Sequence, residues 1–302
     1  MKNLIIKISM SYTQNKFISN KKTNYLGPYL AGLIEGDGSI IIRKGKQEKV
    51  VPAIIFTFHS NEIPLFEKIK IIIGSGNIYK EKQNVCRYQI TNVDAVIKVF
   101  NLVNGYFRSP KIEVLYKAID NLNTWHNANI VKLPLDISDI SSNSWLAGFA
   151  DADGHFSIKL IGNYGLSNSN ERGRVKCVFS INQNEIYKKT GESCIPFMTI
   201  LSKYFNCNLN YRNTVSNLYK NPVKSVVFYV QNDKDHLLVT NYFNKYPLMS
   251  SKYLNYICYV KGLNYLGKRL TEKEILEIQA IKNSMNKKRI NYNWDHLKEF
   301  DR

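Results

Sequence analysis

One nonapeptide occurs twice in this chain, and the repeat restricts the possible folds more than any other feature of the sequence. Residues 30–38 read LAGLIEGDG and residues 146–154 read LAGFADADG, 116 positions later (146 − 30). Small and apolar residues lead into two acids and a glycine, as at a helix end, and the alternation that follows is typical of a strand with one buried face. The sequence therefore predicts two lobes, each built on a helix-to-strand junction that carries carboxylates. Gly38 and Gly154 are predicted to stop the helices as C-terminal glycines do.

The alanine–glycine steps of the repeat remove side-chain bulk from both predicted helices. Helices that meet at these steps can approach more closely than the usual ~8–10 Å between axes. Packed as a pair, they would bring Asp37 and Asp153 together, and close carboxylates at helix C-termini favour a cation between them. Oxygen ligands of this kind predict a hard divalent metal, with Mg²⁺ as the candidate and Mn²⁺ or Ca²⁺ as substitutes.

An Asp-Gly pair also occurs in two other settings, a glycine-terminated turn and an EF-hand loop. A lone Asp-Gly is most often a glycine-terminated turn with solvated acids, but two full-length copies argue against that interpretation here. An EF-hand loop has its glycine in the middle and a glutamate at its end, whereas Gly154 directly follows Asp153. The sequence therefore excludes the EF-hand.

Both nonapeptides resemble the LAGLIDADG motif of homing endonucleases and of the related intron-encoded maturases, in the single-chain form with two motifs. The resemblance extends over roughly residues 29–270, with Glu35 replacing Asp and Phe149-Ala150 replacing Leu-Ile. It implies an α+β fold of two pseudo-symmetric αββαββα lobes, each with a saddle-like antiparallel sheet, packed through the two motif helices.

The resemblance also implies which motif residues bind metal. The eighth residue of each motif supplies a carboxylate, which transfers to Asp37 and Asp153. The seventh residue contributes only its backbone carbonyl, which transfers to Gly36 and Ala152. Glu35 and Asp151 are interpreted as acids at the helix ends that support these ligands.

Composition indicates a folded protein with a polyanionic partner. The 302 residues include 42 Lys and Arg against 24 Asp and Glu, a net charge of +18, and 44% are hydrophobic. A charge excess of this size favours nucleic acid but does not separate DNA from RNA. No apolar run approaches the ~18–20 residues that span a bilayer, so no membrane partner is expected. Five scattered cysteines without a Cys-x-x-Cys argue for a reducing compartment with neither a zinc site nor a disulfide framework.

Residue usage favours an organellar gene. The chain contains 35 Asn and 20 Tyr beside abundant Ile and Lys, the residues with AT-rich codons, so a mitochondrial intron of the fungal type is the interpretation, with a chloroplast as the weaker alternative. Residues 1–34 contain five Lys and no Asp, Glu or Arg. This segment fits either a transit peptide or the remnant of an in-frame fusion.

Periodicity divides the chain into a basic N-terminal extension (1–24), a first lobe (25–123), a linker (124–143), a second lobe (144–270) and a C-terminal helical extension (271–302). The first lobe is predicted to contain strands 39–44, 50–59, 77–80 and 85–91 and helices 62–73, 93–107 and 110–122. The second is predicted to contain strands 156–160, 175–182, 209–214 and 225–231 and helices 195–205 and 235–243.

Residues 106–111 and 247–252 form a matching exit from each lobe. Thr271 is predicted to cap a final helix with Glu274. The basic cluster at residues 287–289 is either a solvated face or a binding site.

Alternation gives each predicted sheet a polar face that a DNA major groove could accept. The candidate DNA-contacting residues are Ser39, Arg43, Thr57, Arg87 and Gln89 in the first lobe and His155, Ser157, Lys159, Lys176, Ser180, Tyr229 and Gln231 in the second. Any one of them contacts phosphate or water more often than a base.

The expected chemistry is metal-assisted phosphodiester hydrolysis at Asp37 and Asp153. Lys111 and Lys252, matched across the repeat, are candidates to stabilise charge on the phosphate, and the alternative is a surface phosphate contact. The candidates for orienting water are His59, Asn182 and Gln183, and His59 is also readily explained as a core or surface histidine.

Three classes of function remain after this reasoning. A site-specific endonuclease that cuts a long asymmetric DNA site as a monomer and promotes intron mobility is favoured, because both motif acids are present. An intron-encoded RNA maturase, or a bifunctional protein that also binds intron RNA, is the main alternative. A DNA-binding regulator is the third, and loss of a motif acid would favour either of the last two.

Overall fold

A computed structural model describes residues 22–42, 49–162, 174–214 and 222–301. Arg43, one of the candidate DNA-contacting residues, lies outside the described residues. Among the described residues, no helix is both long enough and apolar enough to cross a bilayer.

The first lobe is an antiparallel sheet of four strands with helices packed on one face. Its elements are α1 (Lys22–Gly36), β1 (Gly38–Ile41), β2 (Ala53–His59), α2 (Ile63–Ile73), β3 (Asn77–Lys80), β4 (Val85–Ile90), α3 (Val93–Val103) and α4 (Ile112–His126). The strand order is β1-β2-β4-β3. Local chemistry sets the helix ends: the Asn92 side chain accepts a hydrogen bond from the backbone N–H of Ala95 at 3.1 Å at the start of α3, and Gly74 ends α2 with φ of 82°.

The second lobe repeats this plan with additions. Its elements are α5 (Trp145–Asp153), β5 (Gly154–Ile161), β6 (Arg174–Asn184), β7 (Ile186–Tyr187), β8 (Glu192–Ser193), α6 (Ile195–Tyr204), β9 (Leu209–Thr214), β10 (Val223–Val230), α7 (His236–Lys245) and α8 (Lys252–Leu263), followed by α9 (Glu272–Asn283). The large sheet has the order β5-β6-β10-β9, equivalent to that of the first lobe, and β7 pairs with β8 in a separate hairpin. The predicted α+β fold of two four-stranded antiparallel sheets is confirmed.

The alternation in the sequence predicted the buried faces correctly. Ile54 and Phe56 of β2 are buried while Thr57 and His59 are exposed. The buried residues of α2 are Leu65, Phe66, Ile69 and Ile73, which are the residues that its helical spacing indicated. The capping box of α9 is also present, since Thr271 accepts from the N–H of Glu274 and the Glu274 carboxylate accepts from the N–H of Thr271.

Several predicted bounds were wrong. Strand β2 begins at Ala53 instead of residue 50, and α3 ends at Val103 instead of residue 107. Helix α4 continues to His126, so the connection between the lobes starts at Asn127, in the left-handed conformation that closes the helix. The β7–β8 hairpin was missed because strands of two residues carry no periodic signal.

The two motif helices pack against each other with almost no side chain between their backbones. A Cβ atom placed on Gly32 would lie 2.0 Å from the carbonyl oxygen of Trp145, and one placed on Gly148 would lie 1.8 Å from that of Tyr29. Both distances are far below any van der Waals contact, so only glycine fits at either crossing point. The prediction that the alanine–glycine steps permit close approach is therefore confirmed.

Gly38 and Gly154 lie at the ends of the motif helices, as predicted, but not in the left-handed conformation typical of C-terminal glycines. Neither has a positive φ, and Gly154 is extended with φ of −71° and ψ of 144°. Glycine is required there because the strand leaves directly over the helix end: a Cβ on Gly38 would lie 2.6 Å from Ile34 Cα, and one on Gly154 would lie 2.6 Å from the Ala150 carbonyl oxygen.

Candidate catalytic cleft

The two motif acids lie at the C-terminal ends of the paired helices, between the two sheets. Asp37 follows the last helical residue of α1, its N–H donating to the Leu33 carbonyl at 3.0 Å, and Asp153 is the last residue of α5. Burial, together with the negative charge of Asp37, raises the pKa of Asp153 to about 6. Burial likewise raises the pKa of Asp37, although Lys252 and Lys111 lower it. The helix pair thus holds the two carboxylates within electrostatic reach, as the sequence predicted.

Lys111 and Lys252 bind the carbonyl oxygens at the ends of the motif helices. Lys111 is buried, and its Nζ donates to the carbonyls of Ile34 at 2.8 Å, Gly38 at 2.9 Å and Gly36 at 3.4 Å. Burial lowers the pKa of Lys111 to about 8, and the nearby acids Glu35 and Asp153 oppose that shift.

Lys252 does the same at the end of α5. Its Nζ donates to the carbonyl of Ala150 at 3.2 Å and, in a shorter contact, to that of Ala152. An ammonium group in this position offsets the partial negative charge of a helix C-terminus. The two lysines matched in the sequence therefore occupy matched positions, each held by its own motif helix.

Glu35 is buried and accepts hydrogen bonds from both lobes, whereas the sequence indicated only that it lies at a helix end. Its carboxylate accepts from the backbone N–H groups of Arg108 at 3.0 Å and Ser109 at 2.6 Å and from Trp145 Nε1 at 2.5 Å. Burial raises the pKa of Glu35 to about 7, although these hydrogen bonds lower it. Glu35 thereby fixes the turn that delivers Lys111 and also joins the two lobes.

Asp151 is the counterpart of Glu35 in the second motif. It accepts from the N–H groups of Met249 at 2.7 Å and Ser250 at 3.1 Å and from the Tyr29 hydroxyl at 2.7 Å. The matching exit segments of the two lobes are thus held by matching acids. The sequence shows that the two acids of each motif are two positions apart, but not that the first of them anchors the exit turn while the second lies at the cleft.

Gln183 contacts a motif acid directly, since its Nε2 donates to Asp153 Oδ2 at 2.6 Å. His59 lies at the end of β2, and Asn182 and Gln183 lie near the end of the corresponding strand β6, but His59 is not at the position equivalent to either of them. Gly38 pairs with Phe56, and its counterpart Gly154 pairs with Ile181, so Phe56 and Ile181 are equivalent. Two residues further along each strand, Phe58 is therefore equivalent to Gln183.

His59 therefore corresponds to Asn184. Asn182 alternates with Gln183 along β6, so it lies on the open face of the sheet and is exposed. His59 is exposed at the end of β2, where its Nδ1 accepts from the N–H of Asn61 at 3.3 Å.

A cleft with a volume of about 510 Å³ lies beside Asp37. Its lining includes His59 and Glu62 from the first lobe, Lys252 from the second, and Lys287 and Arg289 from the C-terminal extension. Sequence reasoning missed Glu62, whose carboxylate accepts from the N–H of Ser251 at 3.0 Å and so ties the lobes together. The basic cluster at residues 287–289 therefore contributes two cationic side chains to the cleft.

The open faces of the sheets carry most of the predicted DNA-contacting residues. In the first lobe one row across the strands is Ser39, Ile55, Gln89 and Asn77, and the next is Thr57, Arg87 and Tyr79. In the second lobe the rows pair Lys159 with Lys176, Ser157 with Val178, and His155 with Ser180 and Tyr229.

The accessibility of these side chains differs. Thr57, His155, Lys159 and Gln231 are exposed, with Gln231 just past the end of β10, whereas Ser180 is buried and therefore poorly placed for a groove contact. Arg87 forms an ion pair with Glu81 at 3.4 Å. Sequence reasoning missed Arg212 of β9, which is exposed and holds its guanidinium 5.2 Å from the ring centre of Tyr229, although the correctly predicted strand at 209–214 contained that signal.

The donors at the helix ends suit a hard divalent cation. Asp37 and Asp153 supply carboxylate oxygens. The adjacent carbonyls of Gly36 and Ala152 lie at the same helix ends, where they accept hydrogen bonds from the ammonium groups of Lys111 and Lys252. Among the described residues there is no group of three or more His, Cys, Asp or Glu side chains that could hold a metal alone. Mg²⁺ commonly binds through one or two carboxylates and completes its shell with water and substrate phosphates, so two acids suffice.

Comparisons with known proteins agree with this architecture. A family model described as LAGLIDADG endonuclease matches residues 30–121 and 146–263. The intron-encoded DNA endonuclease aI3 of Saccharomyces cerevisiae is 33% identical over 92% of this chain and 74% of its own length. The intron-encoded RNA maturase bI4 of the same yeast is 24% identical over 82% of this chain and 37% of its own length.

Solved structures share the fold. The meganuclease I-SmaMI, bound to uncleavable DNA, superposes with a TM-score of 0.65 and 21% identity, covering 87% of this chain and 99% of that one. Another structure of I-SmaMI, bound to its uncleaved DNA target in the presence of calcium ions, gives a TM-score of 0.59 with 21% identity over 87% of this chain and 99% of that one.

Proposed function

This chain belongs to the LAGLIDADG endonuclease family, and we propose that it is a homing endonuclease that makes a double-strand break in a long, asymmetric DNA site and so promotes intron mobility. One observation carries the proposal. Both motif acids are present at the ends of closely packed helices, near enough for the charge of Asp37 to raise the pKa of Asp153. Two mutually repelling carboxylates in this position favour a divalent cation between them and the substrate phosphates, which is the requirement of metal-assisted phosphodiester hydrolysis.

The metal proposed for this site is Mg²⁺, with Mn²⁺ or Ca²⁺ able to bind in its place. Asp37 and Asp153 would hold it, together with the carbonyls of Gly36 and Ala152, in two pseudo-symmetric sites that each serve one DNA strand. When bound, such an ion lowers the pKa of a coordinated water and neutralises charge on the scissile phosphate.

The other residues around the cleft have supporting roles in this proposal. Lys111 and Lys252 place positive charge beside the acids, where charge develops on the reacting phosphate. Gln183 holds the Asp153 carboxylate through its amide, and His59 lies in the cleft beside Asp37. Both are candidates to orient the attacking water.

Recognition of DNA is proposed for the open faces of the two sheets. Their exposed donors, such as Lys159, His155 and Arg212, lie on antiparallel strands, and a major groove admits a two-stranded ribbon. A net charge of +18 supplies the attraction to the phosphate backbone. Two different lobes in one chain would read two different half-sites, so the protein is proposed to act as a monomer, and sedimentation as an obligate dimer would contradict this.

The source of the gene is proposed to be a mitochondrial intron. The AT-rich codon usage implied by 35 Asn supports this, as does the similarity to a yeast intron-encoded endonuclease.

A second candidate function is that of an RNA maturase, alone or combined with cleavage. The similarity to the RNA maturase bI4 of yeast favours it. Excess positive charge would serve RNA as well as DNA, and an active pair of acids does not exclude an additional RNA-binding surface.

The experiment that tests the proposal uses the purified full chain and a plasmid carrying the intronless exon junction of its host gene. We expect Mg²⁺-dependent linearisation of that plasmid and not of a scrambled one. A parallel splicing assay with the host intron RNA tests the maturase. Intron splicing that depends on the protein, with no cleavage of the junction in Mg²⁺ or Mn²⁺, would replace the endonuclease proposal with the second candidate.

A further inference from the structure

The two candidate cleavage sites differ at one structurally equivalent position. The motif aligns Asp37 with Asp153, and the strand registers Gly38 with Phe56 and Gly154 with Ile181 align the following strands. Two residues beyond each pairing, the first lobe has Phe58 where the second has Gln183.

Gln183 fixes the acid of its own lobe. Its amide donates to Asp153 Oδ2 at 2.6 Å, so this hydrogen bond holds one carboxylate oxygen and thereby fixes the orientation of the other. Asp153 is half-buried, which limits the alternatives open to its side chain.

Phe58 cannot do the same for Asp37. Its ring stacks on Phe66 of α2 with centroids 3.8 Å apart, so the side chain belongs to the core at the wall of the cleft that it shares with Asp37. Within the described part of the chain the Asp37 carboxylate receives no hydrogen bond, and the neighbours that shift its pKa act through burial and charge alone. Two polar side chains of that lobe in the cleft have other partners: His59 accepts from Asn61, and Glu62 is bound to Ser251.

From this difference we infer that the chain cuts its two DNA strands in a defined order, with the Asp153 site acting first and the Asp37 site acting later. The inference rests on the proposed function and deepens it. Each cut adds water across a phosphodiester: the water oxygen bonds to phosphorus, the bond from phosphorus to one sugar oxygen breaks, and that oxygen leaves with a proton. Gln183 acts as a positioning residue, because it orients a ligand carboxylate and need not contact the phosphate.

The order of cutting is measured on a supercoiled plasmid with one target and with separately labelled strands. We expect nicked plasmid to accumulate to a majority of the substrate before linear product appears, with the nick in a single strand. The variants Asp37→Asn and Asp153→Asn identify which DNA strand each acid cuts, because each variant is expected to leave the cleavage of the opposite strand intact.

Two substitutions then exchange the chemistry of the equivalent positions. Gln183→Met keeps the length of the side chain but removes the amide, and we expect it to slow the first cut about tenfold without changing the rate of the second. Phe58→Gln is expected to reduce the difference between the strands. Gln279→Met, the same replacement on α9, is the matched control and is expected to leave both rates unchanged. Thermal melting of each variant verifies folding.

A readout independent of cleavage uses Ca²⁺ alone, titrated calorimetrically into the complex of protein and target DNA. We expect two unequal sites, of which Gln183→Met weakens only the tighter. Equal cutting rates in the wild-type protein, or equal slowing of both strands by Gln183→Met, would overturn the inference while leaving the endonuclease proposal intact. If the protein binds the target but cuts neither strand, the endonuclease proposal fails and the order of cutting fails with it.

Discussion

The hydroxyl of Tyr29 donates a 2.7 Å hydrogen bond to the carboxylate of Asp151 in the other lobe. Its mirror image is the 2.5 Å bond from Trp145 Nε1 to Glu35. Each motif helix thus begins its apolar stretch with an aromatic donor that reaches the buried acid of the other helix. The same acids hold the turns before Lys111 and Lys252, so the lobe interface and the arrangement of the cleft depend on one set of contacts.

Replacing either motif acid by its amide tests the proposed metal site. Asp37→Asn and Asp153→Asn are each expected to lower Mg²⁺-dependent double-strand cleavage at least ~100-fold, because a neutral amide is a poor ligand of nearly the same shape. Binding of the target, measured by fluorescence anisotropy in Ca²⁺, is expected to change little. Full double-strand cutting by either variant would contradict the assignment.

The helix crossing offers a test of packing. A Cβ on Gly148 would meet the Tyr29 carbonyl oxygen at 1.8 Å, so Gly148→Ala is expected to cost more than ~4 kcal/mol of the free energy of unfolding. Gly74→Ala is the control: Gly74 has a φ of +82° but no neighbour within 4 Å, so only backbone strain of about 1–2 kcal/mol is expected. Urea denaturation of both variants measures the difference, and similar costs would show that the helices can separate without penalty.

The buried His236, which does not line the cleft, predicts how acid affects the stability of the folded protein. His236 Nδ1 lies 2.6 Å from the Tyr259 hydroxyl, and burial lowers the pKa of His236, opposed by Asp233 and Asp235. As the pH falls below ~6.5, the unfolded chain binds this proton before the folded one does, so stability is lost.

His236→Asn is therefore expected to flatten the fall in stability below pH ~6.5. The control Tyr259→Phe removes the hydrogen bond but keeps the imidazole, so it is expected to lower stability by about 1–3 kcal/mol while the dependence on pH remains. Chemical denaturation at a series of pH values measures both. An unchanged acid profile in His236→Asn would assign the acid sensitivity to other groups.

Salt dependence tests the sheet faces as the DNA-binding surface. The logarithm of affinity is expected to fall with the logarithm of salt concentration at a slope of about −0.9 per neutralised phosphate. Lys159→Ala, on the open face of β5, is expected to weaken all sequences alike and to reduce the slope by about 1. Lys117→Ala, an exposed lysine on α4, is the matched control and is expected to leave the slope unchanged. Equal effects of the two substitutions would remove the open face from the binding mode.

Local pattern was sufficient for much of this fold. Alternation in residues 54–59 and helical spacing in residues 65–73 determine which side of an element is apolar, because strand and helix periods are properties of the backbone alone. The repeat likewise indicated the helix pair, the close approach at Gly32 and Gly148 and the position of the two acids. Element ends were less accurate, since they depend on caps and on neighbouring elements.

The sequence by itself thus determined the two-lobe architecture, the buried faces and the pair of motif acids. Tertiary structure alone decided which polar groups meet: Glu35 with Trp145, Lys111 with the end of α1, and Gln183 with Asp153. These partners are separated by 30 to 110 positions, and no local period relates them. Their contacts exist because the helix pair and the strand register bring distant segments to one place, and a shift of one residue in that register would turn Gln183 to the opposite face of its sheet.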